Sequence, residues 1–123
     1  MSLRLYFHHA AKTKRTNGWR GIFRPPLARH LLAHASQAGI DQVILHRVQA
    51  GYIKGGRLRH HHVDASHRHL PHCLELIDIE SKLRRFLAHH AEHLLEVKAV
   101  LLPCEVHEPQ GLRTDGLFLT TMR

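Results

Sequence analysis

The chain has 123 residues, a length that suits one domain with a single hydrophobic core and is too short for two. It has 18 Lys and Arg and 10 Asp and Glu, which gives a net charge of +8. This charge favours anionic partners without distinguishing phosphates, nucleic acid or acidic surfaces. No apolar run approaches the roughly 20 residues that span a bilayer, and the N-terminus lacks the apolar segment of a signal peptide, so we expect a cytoplasmic protein that is not membrane-embedded.

The first half of the sequence predicts a strand, a helix and a second strand. Residues 3–8 alternate apolar and polar side chains, as a half-buried strand does. A basic loop follows over residues 10–24, and residues 27–38 then repeat apolar side chains at helical spacing until Gly39 supplies a stop. Residues 42–53 are rich in Val, Ile and Leu, which is typical of a strand.

The second half predicts a loop, a strand, a helix and a last strand. Residues 54–69 show no periodicity and hold five His, which predicts an exposed and mobile excursion. Residues 72–78 form the third predicted strand, and residues 79–96 form an amphipathic helix with Asp78 as its expected N-cap. Residues 97–106 complete the set as a fourth strand.

This order of elements, β-α-β-β-α-β, predicts an α+β ferredoxin-like sandwich with two helices on one face of a four-stranded antiparallel sheet. We assign the domain to residues 1–107 and a C-terminal extension to residues 108–123. With the first strand between the third and fourth, Cys73 and Cys104 lie about two strand spacings of ~4.8 Å apart, which exceeds disulfide reach. We therefore expect two buried thiols.

The sheet face opposite the helices is predicted to be mixed and too apolar to stay exposed. Self-association through this face would bury it and let its charged side chains pair across subunits. Its expected members are Tyr6, Ile44, Ile77 and either Ala99 or Leu101, alongside Arg4, His46 and Glu75.

Residues 42–87 resemble the PII-like proteins catalogued as domain of unknown function 190. The matching features are a strand that ends in Ala50-Gly51-Tyr52, a basic loop with a histidine near its middle, and an apolar strand that runs into the second helix. With the outer strands the resemblance covers about residues 3–106. It implies a homotrimer whose sheets face a central axis, a signalling loop between the second and third strands, and clefts between subunits where relatives bind adenine nucleotides. It also implies a transporter or enzyme as the partner of the loop.

Basic residues gather in the two loops that follow the first and second strands, where guanidinium groups suit a phosphate or carboxylate. In the topology we predict, the first and third strands run opposite to the second and fourth, so the two loops need not leave one end of a subunit. A trimer would bring them together around a cleft for a bicarbonate-like anion or an adenine nucleotide. The candidate ligand-binding residues are Arg47, Gly51, Tyr52, Lys54, Arg57 and Arg59.

Histidines offer an alternative, metal-binding function, because neutral imidazoles bind Cu, Zn and Ni. The candidate ligands lie in one loop: His60, His61, His62, His67 and His69. The competing interpretation is a solvated basic loop. Two helical pairs at i, i+4, His30/His34 and His89/His93, would also allow a four-histidine cluster between the helices. His90 falls on the apolar stripe, which predicts a hydrogen-bonded core histidine.

We expect no enzymatic activity, because neither a nucleophile motif nor a recognisable acid and base pair stands out in the sequence. An RNA-binding module is a further alternative on a ferredoxin-like sheet with this charge. That function needs exposed aromatic side chains on the central strands, and Tyr6 is the single plausible one, so nucleic acid ranks below a small ligand.

Overall fold

The computed structural model describes residues 1–13, 24–54, 59–60 and 70–108. In the described ranges, no helix is both long enough and apolar enough to pass through a bilayer. The elements in chain order are β1 Ser2–His8, α1 Leu27–Gln37, β2 Gln42–Arg47, β3 Ala50–Gly51, β4 Arg59–His60, β5 Pro71–Ile77, α2 Glu80–His89, a 3₁₀ turn Ala91–His93, and β6 Lys98–Leu102.

Four strands form one antiparallel sheet in the order β2-β5-β1-β6. As predicted, β1 lies between the third and fourth long strands, with Leu5 opposite both Leu74 of β5 and Ala99 of β6. With two helices beside it, this sheet confirms the α+β class and is compatible with the predicted ferredoxin-like arrangement.

The core lies between one face of the sheet and both helices. Leu3 and Leu5 of β1 are fully buried, and so are Leu31 of α1 and Leu83 of α2. These residues belong to one apolar cluster, so the two helices cover the same sheet face. Each fully buried Leu contributes about 1.5–3 kcal/mol through apolar burial, which makes this layer the main source of stability.

The helix ends follow local backbone chemistry. Gly39 has φ of 71° and its amide N–H donates to Ser36 O, while Ile40 N–H donates to Ala35 O at 3.0 Å. This pair of bonds is a Schellman motif, so the predicted glycine stop is confirmed. The expected N-cap of α2 is wrong, because Ile79 holds that position.

Three predicted strand or helix ranges are too long. The second strand ends at Arg47, and Ala50–Gly51 instead pairs with Arg59–His60 in a short hairpin. Gly51, within this short hairpin, has φ of 154°, a conformation that favours glycine. The last strand covers Lys98–Leu102 alone, and α2 stops at His89 before the 3₁₀ turn.

The two thiols have different environments. Cys73 is buried on β5 and Cys104 is exposed beyond β6, and both are free. The prediction of a buried Cys104 is wrong because β6 ends two residues earlier, at Leu102.

Candidate functional site

The segments that follow β1 and β2 leave the same end of the sheet. Both strands are antiparallel to β5, so they run in the same direction, and the predicted opposite orientation is wrong. His8, Arg47 and the first residues of β5 therefore lie together at one end of the sheet. One subunit by itself places the beginnings of both basic loops together.

Four of the predicted ligand-binding residues lie at this end of β2 or in the described segment that follows it. Arg47 is the last residue of β2, and Lys54 is exposed. Tyr52 is 66% exposed, and Gly51 pairs in register with Arg59 of β4. Arg59 and the candidate ligand His60 are described only as backbone of this strand. The remaining candidates lie outside the described residues: Arg57, His61, His62, His67 and His69.

A groove of about 570 Å³ opens at the same end, between the segment after β1 and the connection from α2 to β6. Lys12 and Arg24 supply cations to its lining, and Glu92 and Glu96 supply carboxylates. Arg24 Nε donates to the backbone O of Thr13 at 2.7 Å, which fixes the guanidinium close to the chain. The groove thus combines groups for an anion with acceptors for a ligand's N–H donors.

A second feature of this end is a histidine pair that the sequence analysis missed. His9 Nδ1 and His72 Nε2 lie 2.9 Å apart, within hydrogen-bond distance. His72 is 8% exposed, and its Nδ1 has no hydrogen-bond partner among the described residues. Burial lowers the pKa of His72, and the neighbouring His9 and Arg47 lower it further. The available signal was the strand alternation, which puts His72 on the same face as the buried Leu74 and Leu76.

Histidines also meet between α1 and α2, as the two helical pairs predicted. The His30 ring centroid lies 4.2 Å from that of His34 and 4.8 Å from that of His93. His90, which is not a member of the two predicted pairs, joins them with its ring 5.1 Å from His34. Within the described ranges, no three or more His, Cys, Asp or Glu side chains are arranged to hold a metal ion.

Burial keeps His90 uncharged at neutral pH. His90 is 4% exposed, which confirms its predicted position in the core, and burial lowers its pKa to about 4 with help from His34 and His89. Its ring packs 4.5 Å from that of Phe86. Burial also lowers the pKa of His30. His30 and His90 are therefore neutral at pH 7 and pack between the helices.

Glu75 is the centre of a polar network on the opposite face of the sheet. Its carboxylate accepts from Arg4 Nε at 3.2 Å and Ser2 Oγ at 3.3 Å, and it lies 3.1 Å from His46 Nε2. The hydrogen bond to His46 and those to Arg4 and Ser2 hold the pKa of Glu75 below its ordinary value, against the effect of burial. The charged side chains predicted to pair across subunits therefore pair within one chain.

The apolar part of this open face differs from the prediction at β6. Val100 lies opposite Arg4 and Leu102 opposite Ser2, whereas Leu101 packs against the core cluster. Ala99 and Leu101 were assigned to the wrong face because the register of β6 could not be read from a short apolar run. Ile44 and Leu102 remain exposed, at 42% and 36%.

Comparison with known proteins places these features in a family. The model of the family described as DUF190, an uncharacterized ACR, matches residues 2–106. The chain belongs to the DUF190 family. One relative is a UPF0166 protein of Aquifex aeolicus (strain VF5), which is 36% identical to this chain over 62 residues. That match covers 50% of this DUF190 chain and 59% of the relative's length. The predicted membership of the family is confirmed.

Proposed function

We propose that this DUF190 protein is a PII-like regulatory protein of the cytoplasm that senses a small anion or an adenine nucleotide. The sensing sites would be clefts between subunits, and the output would pass through the segment between β2 and β5 to a transporter or enzyme. The observation that supports this proposal most is the shared exit of two basic segments from one end of the sheet, beside Arg47. Cations at the base of a long loop are suited to couple an anion to the conformation of that loop.

The proposal includes a homotrimer that buries the open sheet face. Ile44 and Leu102 give this face exposed apolar surface, and apolar surface of this kind favours association. The carboxylate of Glu75 is already bonded to Arg4 and His46, so docking would not bury an unpaired charge there. A second and third copy of the chain are therefore the proposed partners of this face.

We assign the protein a binding role rather than a catalytic one. Burial raises the pKa of the Cys73 thiol, which makes it a poor nucleophile at neutral pH. Glu75 and His46 on the same face lie 3.1 Å apart and pair with each other. These contacts suit a structural surface.

Ligand-dependent stability of the full chain tests the proposal. A ligand at a hundred times its dissociation constant stabilises the folded protein by about 2.7 kcal/mol, which a thermal-shift assay resolves. We expect ATP, ADP, AMP or bicarbonate to raise Tm, and expect Arg47→Gln and Lys54→Gln to reduce the shift. Arg84→Gln is the matched control, because Arg84 is exposed on α2 and pairs with Glu80.

Three other results would count against the proposal. A response to Zn, Cu or Ni alone, lost when His60, His61 and His62 are replaced, would favour the histidine loop as a metal site. Binding of RNA with a steep dependence on salt would favour the nucleic-acid alternative, because counterion release dominates such binding. An anion response that Arg47→Gln leaves unchanged would locate the ligand elsewhere.

A further inference from the structure

A groove on the helix side of the sheet differs in chemistry from the one beside Lys12 and Arg24. It has a volume of about 740 Å³ and runs between α1 and the edge formed by β2. Ala28 and Leu32 of α1 and Leu45 of β2 give it apolar walls. Small-molecule sites in proteins have volumes of about 300–1,000 Å³ with apolar walls and a few polar groups, and this α1–β2 groove fits that description.

The polar groups of the α1–β2 groove come from two elements and are all basic. Arg29 of α1 is exposed at the groove, and His9 and His72 line it from the end of the sheet. Its lining includes no Asp or Glu among the described residues. The groove beside Lys12, in contrast, includes two carboxylates. Charge complementarity therefore favours an anion in the α1–β2 groove.

His72 lines this groove as part of the pair with His9. Its Nε2 contacts His9, and its Nδ1 is buried without a hydrogen bond among the described residues. The pair is therefore a second basic element of the lining, beside Arg29. The charged or titratable groups around His72 are His9 after β1, Arg47 at the end of β2 and Arg29 on α1. The two arginines are cationic, and the two histidines become cationic when they are protonated.

We infer that the α1–β2 groove binds a small carboxylate with an apolar body, with the carboxylate at Arg29 and the His9–His72 pair and the apolar body against Leu32 and Leu45. The guanidinium of Arg29 donates to the carboxylate, and the negative charge of the ligand favours protonation of the His9–His72 pair. The proton comes from solvent, so the ligand binds as an anion and one proton is taken up. This site lies within one subunit and does not depend on the proposed trimer.

Isothermal titration of the full chain with hexanoate and benzoate tests this inference. Hexanamide and benzamide serve as neutral ligands of matched shape. We expect both acids to bind, the amides to bind at least about tenfold more weakly, and the acids to take up a proton. Proton uptake is detected because the measured enthalpy of binding then differs between two buffers of different ionisation enthalpy. Because a hydrogen bond to a charged group contributes about 1.5–3 kcal/mol, Arg29→Gln should weaken acid binding by about tenfold or more.

The matched control is again Arg84→Gln, which removes an exposed helix guanidinium that is remote in sequence from the groove. A nitrogen-detected histidine spectrum should show the resonances of His72 and His9 moving on addition of acid. Equal binding of acid and amide, unchanged affinity in Arg29→Gln, or no heat at about 10 mM ligand would overturn the inference. Inorganic phosphate binding as tightly as hexanoate would also overturn it, because phosphate has no apolar body. Nucleotide binding without carboxylate binding would leave the proposed function intact and refute this site alone.

Discussion

The buried imidazole of His90 predicts a loss of stability in mild acid. In an unfolded chain a histidine titrates near pH 6.5, whereas the folded environment lowers the pKa of His90 to about 4. Between these values the unfolded chain binds a proton that the folded protein does not. The contribution to stability is therefore complete above about pH 6.5 and is lost as the pH falls towards 4.

The size of this effect follows from the two pKa values. The loss from His90 alone is about 1 kcal/mol at pH 5.5 and about 3 kcal/mol at pH 4. No reduction for solvent screening is needed, because the residue is 4% exposed and packs against Phe86. Burial also lowers the pKa values of His30 and His72, so the whole protein should lose more than this.

Urea unfolding followed by circular dichroism measures the effect between pH 7.5 and 5. His90→Leu removes the titrating group and keeps a side chain of similar volume, so its stability should fall less with pH than that of the original protein. The difference between the two slopes isolates His90 from His30 and His72. His107→Gln is the control, since His107 is exposed beyond β6 and should leave the slope unchanged. Parallel slopes for the original protein and His90→Leu would refute the reasoning.

Three further changes have expected outcomes. Leu74→Ala should lower the free energy of unfolding by about 3 kcal/mol, because Leu74 is fully buried in the central strand β5, and urea unfolding at pH 7.5 measures it. Asp78→Ala should cost about 1 kcal/mol, since the Asp78 carboxylate accepts from the N–H of Ile79 and from the N–H of Asp41 at 2.8 Å, and Glu80→Ala is an exposed control for the same assay. Glu75→Gln should lower Tm at pH 7, and its difference from the original protein should shrink as the pH falls below the ordinary pKa of a glutamate and through the lowered pKa of Glu75; a difference that does not change with pH would contradict the network.

Periodicity predicted the fold because the core-forming strands have clear patterns. In β1 the apolar side chains alternate strictly, and Leu3, Leu5 and Phe7 are all buried. Gly39 identified the end of α1 because a Schellman motif needs a residue that tolerates positive φ. These signals are local, so the sequence alone contains them.

Features that depend on pairing between distant elements were predicted less well. The face of Leu101 depends on the register of β6 against β1, and a run of apolar residues fits either register. The direction of β2 relative to β1 was misread, although a helical crossover between them and a strand between them require that they run the same way. The His9–His72 contact joins residues 63 apart, so the strand alternation that indicates the burial of His72 could not identify its partner.

The histidine cluster between α1 and α2 was predicted in part from a local pattern and was in part missed. The i, i+4 pairing of His30 and His34 correctly placed their rings together. On α2 the same argument selected His89, but the helix ends there, and the turn brings the buried His90 into the cluster. Helical phase had placed His90 on the apolar stripe, and its burial confirms this, whereas the pairing argument selected its neighbour.

Sedimentation velocity of the full chain with and without adenine nucleotide tests the central claim, a trimer that senses an anion in its clefts, most directly. The proposal predicts a species of three times the chain mass at micromolar concentration. It also predicts that Ile44→Arg, which puts a charge on the open face, gives a folded monomer that no longer binds nucleotide or bicarbonate. A stable monomer of the original protein, or an Ile44→Arg monomer that binds these anions as tightly as before, would contradict the claim.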